Sequence, residues 1–294
     1  MKSQPKNIER IGIAANVVKP SCREIARKAA ALIRRSGRTV LADAETAETS
    51  GFPCEVHPDM ASLARHSDLL LVLGGDGTML RVVREIKGGH TPILGVNVGR
   101  LGFLTAVPSR TLEAAFQQIW RHDFTVESRP LIEADAVSRG EHLRLIALND
   151  IVISRGATSR MIELDVTVND DALTRYRCDG LIISSPTGST AYSLSAGGPL
   201  VSPDAEVFAV TPICPHALSN RPLIISLAST IQVRVLSERL ETNVTADGQV
   251  QADLTFGDVV TVRRSRHRVH LLRLSGGSFF ATVRQKLHWS GSNV

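Results

Sequence analysis

The sequence lacks several features that mark common classes of protein. Aromatic residues make up only 4% of its 294 residues, too few for the base-stacking surfaces of single-stranded nucleic acid binders. The cysteines do not form CxxC pairs, which argues against a zinc site and a secreted disulfide scaffold. They are Cys22, Cys54, Cys178 and Cys214. We therefore expect a reducing, cytoplasmic environment and no nucleic acid partner.

Long apolar runs are also missing. The stretches Ile11–Val18 and Leu69–Leu73 are far shorter than the roughly 20 residues of a membrane-spanning helix. Basic residues precede the first run, but that run contains Asn16 and no small-residue cleavage site follows it. The sequence therefore predicts a first strand at this position and no membrane anchor.

The net charge is mildly positive, because 34 Lys and Arg residues face 29 Asp and Glu residues, giving +5. This excess suits an anionic ligand but is smaller than that of a nucleic-acid-binding tail. The basic run Arg263–His270 is predicted to form a strand with a solvated or subunit-facing basic side.

Short apolar runs alternate with helical patterns from Ile11 to about Trp120. Ser21 and Glu24 have the spacing of a capping box, which predicts a helix that ends at Gly37. Later in this region, two strands flank a helix over Met79–Ile86; they are predicted at Asp68–Leu73 and Pro92–Asn97. This order predicts an α/β N-terminal domain with a parallel sheet, over residues 1–123.

The pattern changes after Phe124 to short β-rich segments separated by turns such as Asn169-Asp170-Asp171. A β-rich, β-sandwich-like C-terminal domain is therefore predicted over residues 124–280. Its strands are expected at Ile151–Ser154, Ile162–Val168, Leu181–Ser185, Ile224–Leu227, Ile231–Leu236, Val259–Val262 and Val269–Leu274. The chain end, about residues 280–294, fits a helix or a strand that packs on either domain.

The first chemical motif is the GGDGT loop, Gly74–Thr78, between a predicted strand and a predicted helix. Such a loop attracts phosphate through free helix amides. It is neither a Walker A loop nor a GxGxxG fingerprint. Since Asp76 would repel phosphate, it suggests a proton acceptor or a metal ligand; the alternative is a simple helix cap.

A second glycine-rich loop, Asn97–Thr105, begins where the next strand ends. It is expected beside the first loop at the same sheet edge. The alternative is that Gly99 and Gly102 serve an ordinary turn.

The Arg177–Pro199 segment is the richest in polar groups. Its Ser and Thr hydroxyls and backbone amides suit ribose, carboxamide and phosphate oxygens, and Asp179 could accept from a sugar or base. The segment is interpreted as a nucleotide-binding cradle. A serine hydrolase is disfavoured because no GxSxG elbow is present.

Together these stretches resemble the bacterial NAD kinase family. The resemblance is carried by Gly74–Thr78, Asn97–Thr105, Asn149-Asp150, Asp179–Pro199 and Asp247-Gly248-Gln249, in the family's order. It spans most of the chain, and the Asp179–Pro199 block is far more specific than the GGDGT loop, which phosphofructokinases and lipid kinases also resemble.

The resemblance implies phosphoryl transfer from ATP to the adenosine-ribose 2′-hydroxyl of NAD, which yields NADP. It leaves polyphosphate open as a donor and NADH open as an acceptor. It also implies a divalent metal, Mg²⁺, that acts with ATP and has no metal-binding residue assigned in the chain. The expected assembly is a homodimer or homotetramer.

The same resemblance implies the site residues. Asp76 would be the catalytic acid/base, and Gly74, Gly75, Gly77 and Thr78 would form the ATP and phosphate loop. The residues expected to bind NAD are Asp76, Gly77, Arg81, Asn149, Asp150, Arg160, Arg177, Asp179, Thr190, Ala191, Tyr192, Ser193, Leu194, Ser195 and Gln249.

Simpler interpretations stay open for several of these positions. Asn149-Asp150 could be a plain turn, Arg160 and Arg177 solvated surface charges, and Tyr192 an ordinary core residue. At the level of function, the alternatives are a lipid kinase with the same glycine-rich loop and a dinucleotide sensor without turnover.

Overall fold

The computed structural model describes residues 7–99, 101–105, 107–138, 141–157, 160–217, 219–238 and 241–289. Arg100, within the predicted second loop, and residues 290–294 of the chain end lie outside the described residues. The chain divides into two units, Met1–Ser128 with Arg268–Val294, and Arg129–His267.

The elements follow one another in this order: β1 (Arg10–Ala15), α1 (Pro20–Arg35), β2 (Thr39–Asp43), α2 (Ala44–Ser50), β3 (Glu55–His57), α3 (Met60–His66), β4 (Leu69–Gly74), α4 (Asp76–Ile86), β5 (Ile93–Asn97), β6 (Val107–Pro108), α5 (Leu112–Trp120), β7 (Phe124–Ser138), β8 (Glu141–Ala147), β9 (Asp150–Arg155), β10 (Ile162–Val168), β11 (Asp171–Cys178), β12 (Gly180–Ser184), α6 (Tyr192–Ser195), β13 (Val207–Ile213), β14 (Leu223–Ser226), β15 (Ile231–Val235), β16 (Thr242–Ala246), β17 (Gln249–Leu254), β18 (Val259–Leu274) and α7 (Phe279–Leu287).

The first unit contains the predicted parallel sheet. Its strands are ordered β3–β2–β1–β4–β5, and each neighbouring pair is parallel. Apolar side chains of β1 and β4, such as Ile11, Ile13 and Leu71, are fully buried and share a core with α1 and α5. The prediction of an α/β N-terminal domain is confirmed.

Helix α1 begins differently from the prediction. It starts at Pro20, with Lys19 as the cap residue and no side-chain cap hydrogen bond, so the predicted Ser21–Glu24 capping box is wrong. Proline suits the first helical position because its fixed φ is helical and its missing N–H is not needed there. This places Ser21 inside the first turn, where its hydroxyl is no longer at the cap.

The second unit is the predicted β-rich domain. One antiparallel sheet has the order β14–β13–β12–β9–β16–β17. A second set of antiparallel strands includes β11–β10–β15–β18 and the β7–β8 hairpin. Buried side chains from both sets, including Ile153, Phe208, Leu164 and Val233, form one core cluster, as in a sandwich.

The two strands predicted at Val259–Val262 and Val269–Leu274 are one continuous strand, β18. The basic run Arg263–His270 between them is in strand conformation, as predicted, and its arginines form ion pairs with acidic residues. Arg263 Nε lies 2.8 Å from Glu133 Oε1, and Arg264 Nη1 lies 2.6 Å from Glu206 Oε2. Within the second unit, these ion pairs accommodate the charge that the sequence concentrates in this strand.

The chain end, which the sequence left open, forms helix α7 in the first unit, with Ser278 as its cap. Across the described residues, no helix combines the length and apolar character needed to cross a membrane.

Candidate active site

The GGDGT loop lies at the carboxyl edge of the parallel sheet, between β4 and α4. The strand order changes direction between β1 and β4, and open α/β sheets bind ligands at such a point, outside the carboxyl ends of the strands. Gly74 of β4 pairs in register with Asn97 of β5. The prediction that the two glycine-rich loops lie side by side is therefore confirmed.

Asp76 is the first residue of α4, but its carboxylate does not cap that helix. Gly75 holds the cap position, and no side chain caps the amides. Asp76 Oδ2 accepts a hydrogen bond from the Phe103 amide at 2.8 Å. Oδ1 accepts three, from the Leu104 amide at 3.1 Å, the Thr105 amide at 3.2 Å and the Thr105 hydroxyl at 3.1 Å. The interpretation of Asp76 as a simple cap is wrong.

The second loop is built to hold this carboxylate. A Cβ at Gly102 would lie 1.9 Å from Asp76 Oδ1, so only glycine permits this close approach. Thr105 is fully buried, and its hydroxyl also accepts a hydrogen bond from Asn97 Nδ2 at 3.0 Å. Gly102 therefore does more than form a turn, because it makes room for Asp76.

The other residues of the first loop differ in exposure. Thr78 is buried, and a Cβ at Gly74 would lie 2.3 Å from its hydroxyl oxygen. Gly75 is half-buried and Gly77 is exposed, and a Cβ at either would meet nothing within 4 Å. The backbone at Gly75 and Gly77 is thus open to a ligand at the start of α4.

Arg81 lies one turn further along α4 and reaches the carboxyl end of β1. Its Nη2 donates to the Ala15 carbonyl at 3.3 Å. Its Nη1 lies 3.6 Å from Glu45 Oε2 and 3.7 Å from Glu85 Oε1. The guanidinium is partly exposed, so these carboxylates hold it at the sheet edge that carries the GGDGT loop.

In the second unit, Asn149 and Asp150 are held by the turn between β16 and β17. Asp247 and Gly248 form a two-residue turn with positive φ at both positions, the geometry of a type I′ hairpin. Asp247 Oδ1 accepts from the Asn149 amide at 2.7 Å, and Oδ2 accepts from the Leu148 amide at 3.0 Å. The Asn149-Asp150 pair is therefore an anchored strand start rather than a free turn.

Asp150 is a buried acid of the second unit with a raised pKa. Its side chain is only 4% exposed. Burial raises the pKa of its carboxyl to about 7, and the nearby Asp247 carboxylate adds to the increase. No described residue donates a hydrogen bond to the Asp150 carboxylate. Such an acid is poised to bind a donor group or to change its charge near neutral pH.

Two residues of the Asp179–Pro199 block, Ser185 and Gly188, contact the backbone at the same strand start. Ser185 donates its amide to the Asn149 carbonyl at 2.8 Å and its hydroxyl to the Leu148 carbonyl at 2.5 Å. A Cβ at Gly188 would lie 2.2 Å from the Asn149 carbonyl oxygen. Ser185 and Gly188 thus fix the backbone that carries Asn149 and Asp150.

Further along the block, the hydroxyls of Thr190 and Ser193 form hydrogen bonds within the protein. Ser193 is buried and pairs with the Thr211 hydroxyl at 3.0 Å. The Thr190 hydroxyl donates to the Thr187 carbonyl at 3.0 Å. Tyr192, by contrast, is 47% exposed, so it is not a core residue.

The remaining residues of this segment, Ala191, Leu194 and Ser195, lie at or near the short helix α6 and are half-buried or exposed. These three residues are accessible to solvent, whereas Ser193 beside them is buried.

Asp179 precedes β12 and pairs with Arg155, whose Nε lies 2.9 Å from Asp179 Oδ1. Arg177 is exposed at the end of β11, 4.0 Å from Glu163. Arg160 is exposed just before β10, and Gln249 is exposed at the first position of β17, directly after the Asp247-Gly248 turn. Gln249 thus lies on the hairpin that holds Asn149 and Asp150.

Several contacts at these sites were not predicted from the sequence. They involve Arg155, Glu45 and the carboxylate of Asp247, which the sequence suggested only as part of a motif. The Asp-Gly pair between two apolar runs is a strong hairpin signal, so the turn itself was recognisable. Its contact with Asn149 was not, because the two lie 98 residues apart.

The described residues contain no set of three or more His, Cys, Asp and Glu side chains arranged to hold a metal ion. A protein-only cage is thus not built in this part of the chain.

Two sequence families match the chain. Residues 11–124 match the ATP-NAD kinase N-terminal domain, and residues 148–274 match the ATP-NAD kinase C-terminal domain. Among curated relatives, an NAD kinase of Methylibium petroleiphilum is 41% identical over 277 residues, covering 92% of this chain and 91% of the relative. An NAD kinase of Syntrophotalea carbinolica is 40% identical over 283 residues, covering 96% and 99%.

Solved structures agree with these matches. Yeast NADH kinase complexed with NADH superposes with a TM-score of 0.89 at 27% identity, covering 98% of this chain and 90% of the yeast chain. An NAD kinase from Archaeoglobus fulgidus in complex with ATP superposes with a TM-score of 0.74 at 25% identity, covering 96% and 100%.

Proposed function

Because this chain belongs to the NAD kinase family, we propose that it transfers the γ-phosphoryl group of ATP to the 2′-hydroxyl of the adenosine ribose of NAD, yielding NADP. The observation that carries this proposal is the Asp76 carboxylate, held at the carboxyl edge of the sheet by the Phe103–Thr105 segment. The yeast relative in complex with NADH and the archaeal relative in complex with ATP support an NAD(H) acceptor and an ATP donor.

Asp76 is the proposed general base. As the 2′-hydroxyl oxygen attacks the γ-phosphorus, Asp76 takes its proton. Oδ2 is the accepting atom, because it receives one hydrogen bond whereas Oδ1 receives three. The four hydrogen bonds also orient the carboxylate before substrate arrives, and such positioning supplies much of the catalysis in phosphoryl transfer.

The backbone of Gly74, Gly75, Gly77 and Thr78 is proposed to receive the ATP phosphates, since exposed amides at a helix start attract anions. Arg81 is proposed to contact phosphate at the same sheet edge. It is already oriented there by the Ala15 carbonyl and two glutamates.

NAD is proposed to bind through the residues that the family resemblance implies. Asn149 and Asp150 would hold the adenine end or ribose, and their anchored backbone supports that role. The other proposed NAD contacts are Gly77, Arg160, Arg177, Asp179, Thr190, Ala191, Tyr192, Ser193, Leu194, Ser195 and Gln249. For Ser193, whose hydroxyl is paired with Thr211, the proposed contact is one of position rather than of a free hydroxyl.

The proposed metal is Mg²⁺. Since the described residues build no cage of three or more ligands, they fit an ion held mainly by the ATP phosphates, as Mg²⁺ is in many kinases. When bound, the ion neutralises phosphate charge. We propose that the protein acts in the cytoplasm as a homodimer or homotetramer. Sedimentation equilibrium of the purified chain measures its oligomeric state.

The test is incubation of the purified chain with NAD, ATP and Mg²⁺, with NADP measured by an NADP-specific dehydrogenase. We expect Asp76→Asn to lower kcat by about 100-fold or more, the usual contribution of a general base. Parallel reactions with NADH and with polyphosphate determine which acceptors and donors the enzyme takes.

Because Asp76 also holds Phe103–Thr105, the melting temperature of Asp76→Asn must be measured beside its activity. The matched control is Asp59→Asn, which removes a carboxylate that caps α3 in the same unit. Full activity of a folded Asp76→Asn variant would refute the assignment of the base. NAD binding by the unaltered chain without NADP formation would favour the sensor, and phosphorylation of a diacylglycerol would favour the lipid kinase.

A further inference from the structure

Helix α7 contacts the outer side of the loop that holds Asp76. Lys286 Nζ donates a hydrogen bond to the Leu101 carbonyl at 2.8 Å. The same ammonium lies 4.6 Å from the centre of the Phe103 ring, within the range of a cation–π contact. One side chain of the chain end thus binds two points of the glycine-rich loop.

The helix is itself anchored in the first unit. Ser278 caps its amino end by accepting from the Ala281 amide at 3.0 Å, and Val283 is buried. Between α7, α5 and the loop lies a cavity of about 920 Å³, bordered by Leu101 and Gln285 among other residues. The Lys286 contacts therefore come from a helix that is fixed within the first unit.

The loop in turn holds the carboxylate. Phe103, whose ring lies under Lys286, donates its amide to Asp76 Oδ2 at 2.8 Å. The next two amides bind Asp76 Oδ1. A continuous path therefore leads from the Lys286 ammonium through Leu101 and Phe103 to Asp76.

We infer that Lys286 is a positioning residue that keeps the Phe103–Thr105 amides aligned on the Asp76 carboxylate. The inference rests on the proposed function for its kinetic consequence, since Asp76 must be the base for its alignment to affect turnover. Its structural part, the alignment of three amides, is independent of any activity.

The first experiment measures amide hydrogen exchange of the loop in the full chain without substrate. In Lys286→Met, the amides of Phe103, Leu104 and Thr105 should exchange about tenfold faster or more, because their hydrogen bonds to Asp76 open more often. Lys286→Arg keeps a cation that can donate to the carbonyl and stack on the ring, so it should retain most of the protection.

The second experiment measures steady-state kinetics of the same variants. Lys286→Met should lower kcat by about tenfold or more, since small displacements of catalytic groups are costly, while the KM for NAD changes little. Lys286→Arg should recover most of kcat. The control is Arg284→Met, which removes an exposed cation of the same helix that has no ion pair or hydrogen bond to a described residue.

The outcomes separate the two proposals. Unchanged exchange of the three amides in Lys286→Met would overturn the inference whether or not the chain is a kinase. Equal losses in Lys286→Met and Arg284→Met, accompanied by a lower melting temperature, would also overturn it by showing only a loss of fold. If the three amides exchanged faster in Lys286→Met but the unaltered chain made no NADP, the role of Lys286 in alignment would stand. The proposed function would then be refuted.

Discussion

Asp76 and Asp150 are two carboxyl groups in opposite surroundings. Asp76 accepts four hydrogen bonds, three of them from backbone amides. Asp150 is nearly fully buried, receives no hydrogen bond from a described residue, and lies near the Asp247 carboxylate. The first environment fixes the orientation of the carboxylate, whereas burial in the second makes the charged form costly.

The raised pKa of Asp150 predicts a pH dependence of stability. Its carboxyl has a pKa of about 7 when folded and an ordinary value of 3.8, so the folded state holds the proton over a wider pH range than the unfolded state. The stability contribution of the neutral form is therefore complete below the ordinary pKa and is lost as pH rises through about 7.

We expect the free energy of unfolding of the unaltered chain, relative to Asp150→Asn, to fall as pH rises from the ordinary pKa towards the folded one, and to level off above it. Urea unfolding of both proteins across this range measures the difference, and the comparison cancels the pH dependence of groups that do not interact with Asp150. A difference that stays constant with pH would show that Asp150 does not titrate in this window.

At the scale of elements, the Asp247-Gly248 turn fixes the backbone that carries Asn149 and Asp150. Removing its carboxylate leaves the Leu148 and Asn149 amides without their acceptor. Asp247→Ala should lower the free energy of unfolding by about 1.5–3 kcal/mol, the range for hydrogen bonds to a charged group. It should also raise the KM for NAD by about tenfold, an order-of-magnitude expectation for loss of a preorganised binding segment.

Asp170→Ala provides the matched control for that variant. Asp170 also has positive φ in a two-residue hairpin turn, between β10 and β11, so alanine meets the same backbone strain there. Its side chain makes no hydrogen bond to a described residue. If Asp170→Ala raised the KM for NAD as much as Asp247→Ala, the strain of the turn and not the lost acceptor would be responsible.

The elements also show where local sequence patterns succeed and fail. The strand predicted at Ile162–Val168 has those bounds in the structure, because alternation of apolar and polar residues is a local property. The capping box at Ser21 failed because Pro20 starts the helix one residue earlier. The strand segments predicted separately between Val259 and Leu274 are joined in β18. The acidic partners of its basic run, such as Glu133 and Glu206, are distant in sequence and could not be read from the local pattern.

At the scale of the whole molecule, the net charge of +5 is opposite in sign to that of the anionic substrates. A positive protein attracts them over distances of about 10 Å at roughly 0.1 M ionic strength, and added salt shortens that range. We expect kcat/KM for both ATP and NAD to fall about two- to fivefold between roughly 0.05 and 0.5 M KCl, with Mg²⁺ kept saturating.

An uncharged osmolyte at matched concentration serves as the control for viscosity and water activity. The kcat value at saturating substrate should change much less than kcat/KM, since screening acts on encounter. An unchanged kcat/KM would mean that the positive charge is distributed away from the path of the substrates.

The sequence by itself determined the division into an α/β part and a β-rich part, the position of the glycine-rich loops at strand ends, and the family. These depend on short-range periodicity, on turn residues and on motifs, which are all written in neighbouring residues. Only the tertiary structure decided that Asp76 is held by Phe103–Thr105, that Asp247 anchors Asn149, and that Lys286 contacts Leu101 across a separation of 185 residues. Such contacts depend on sheet register and packing, which bring together residues whose local sequence carries no sign of the partner.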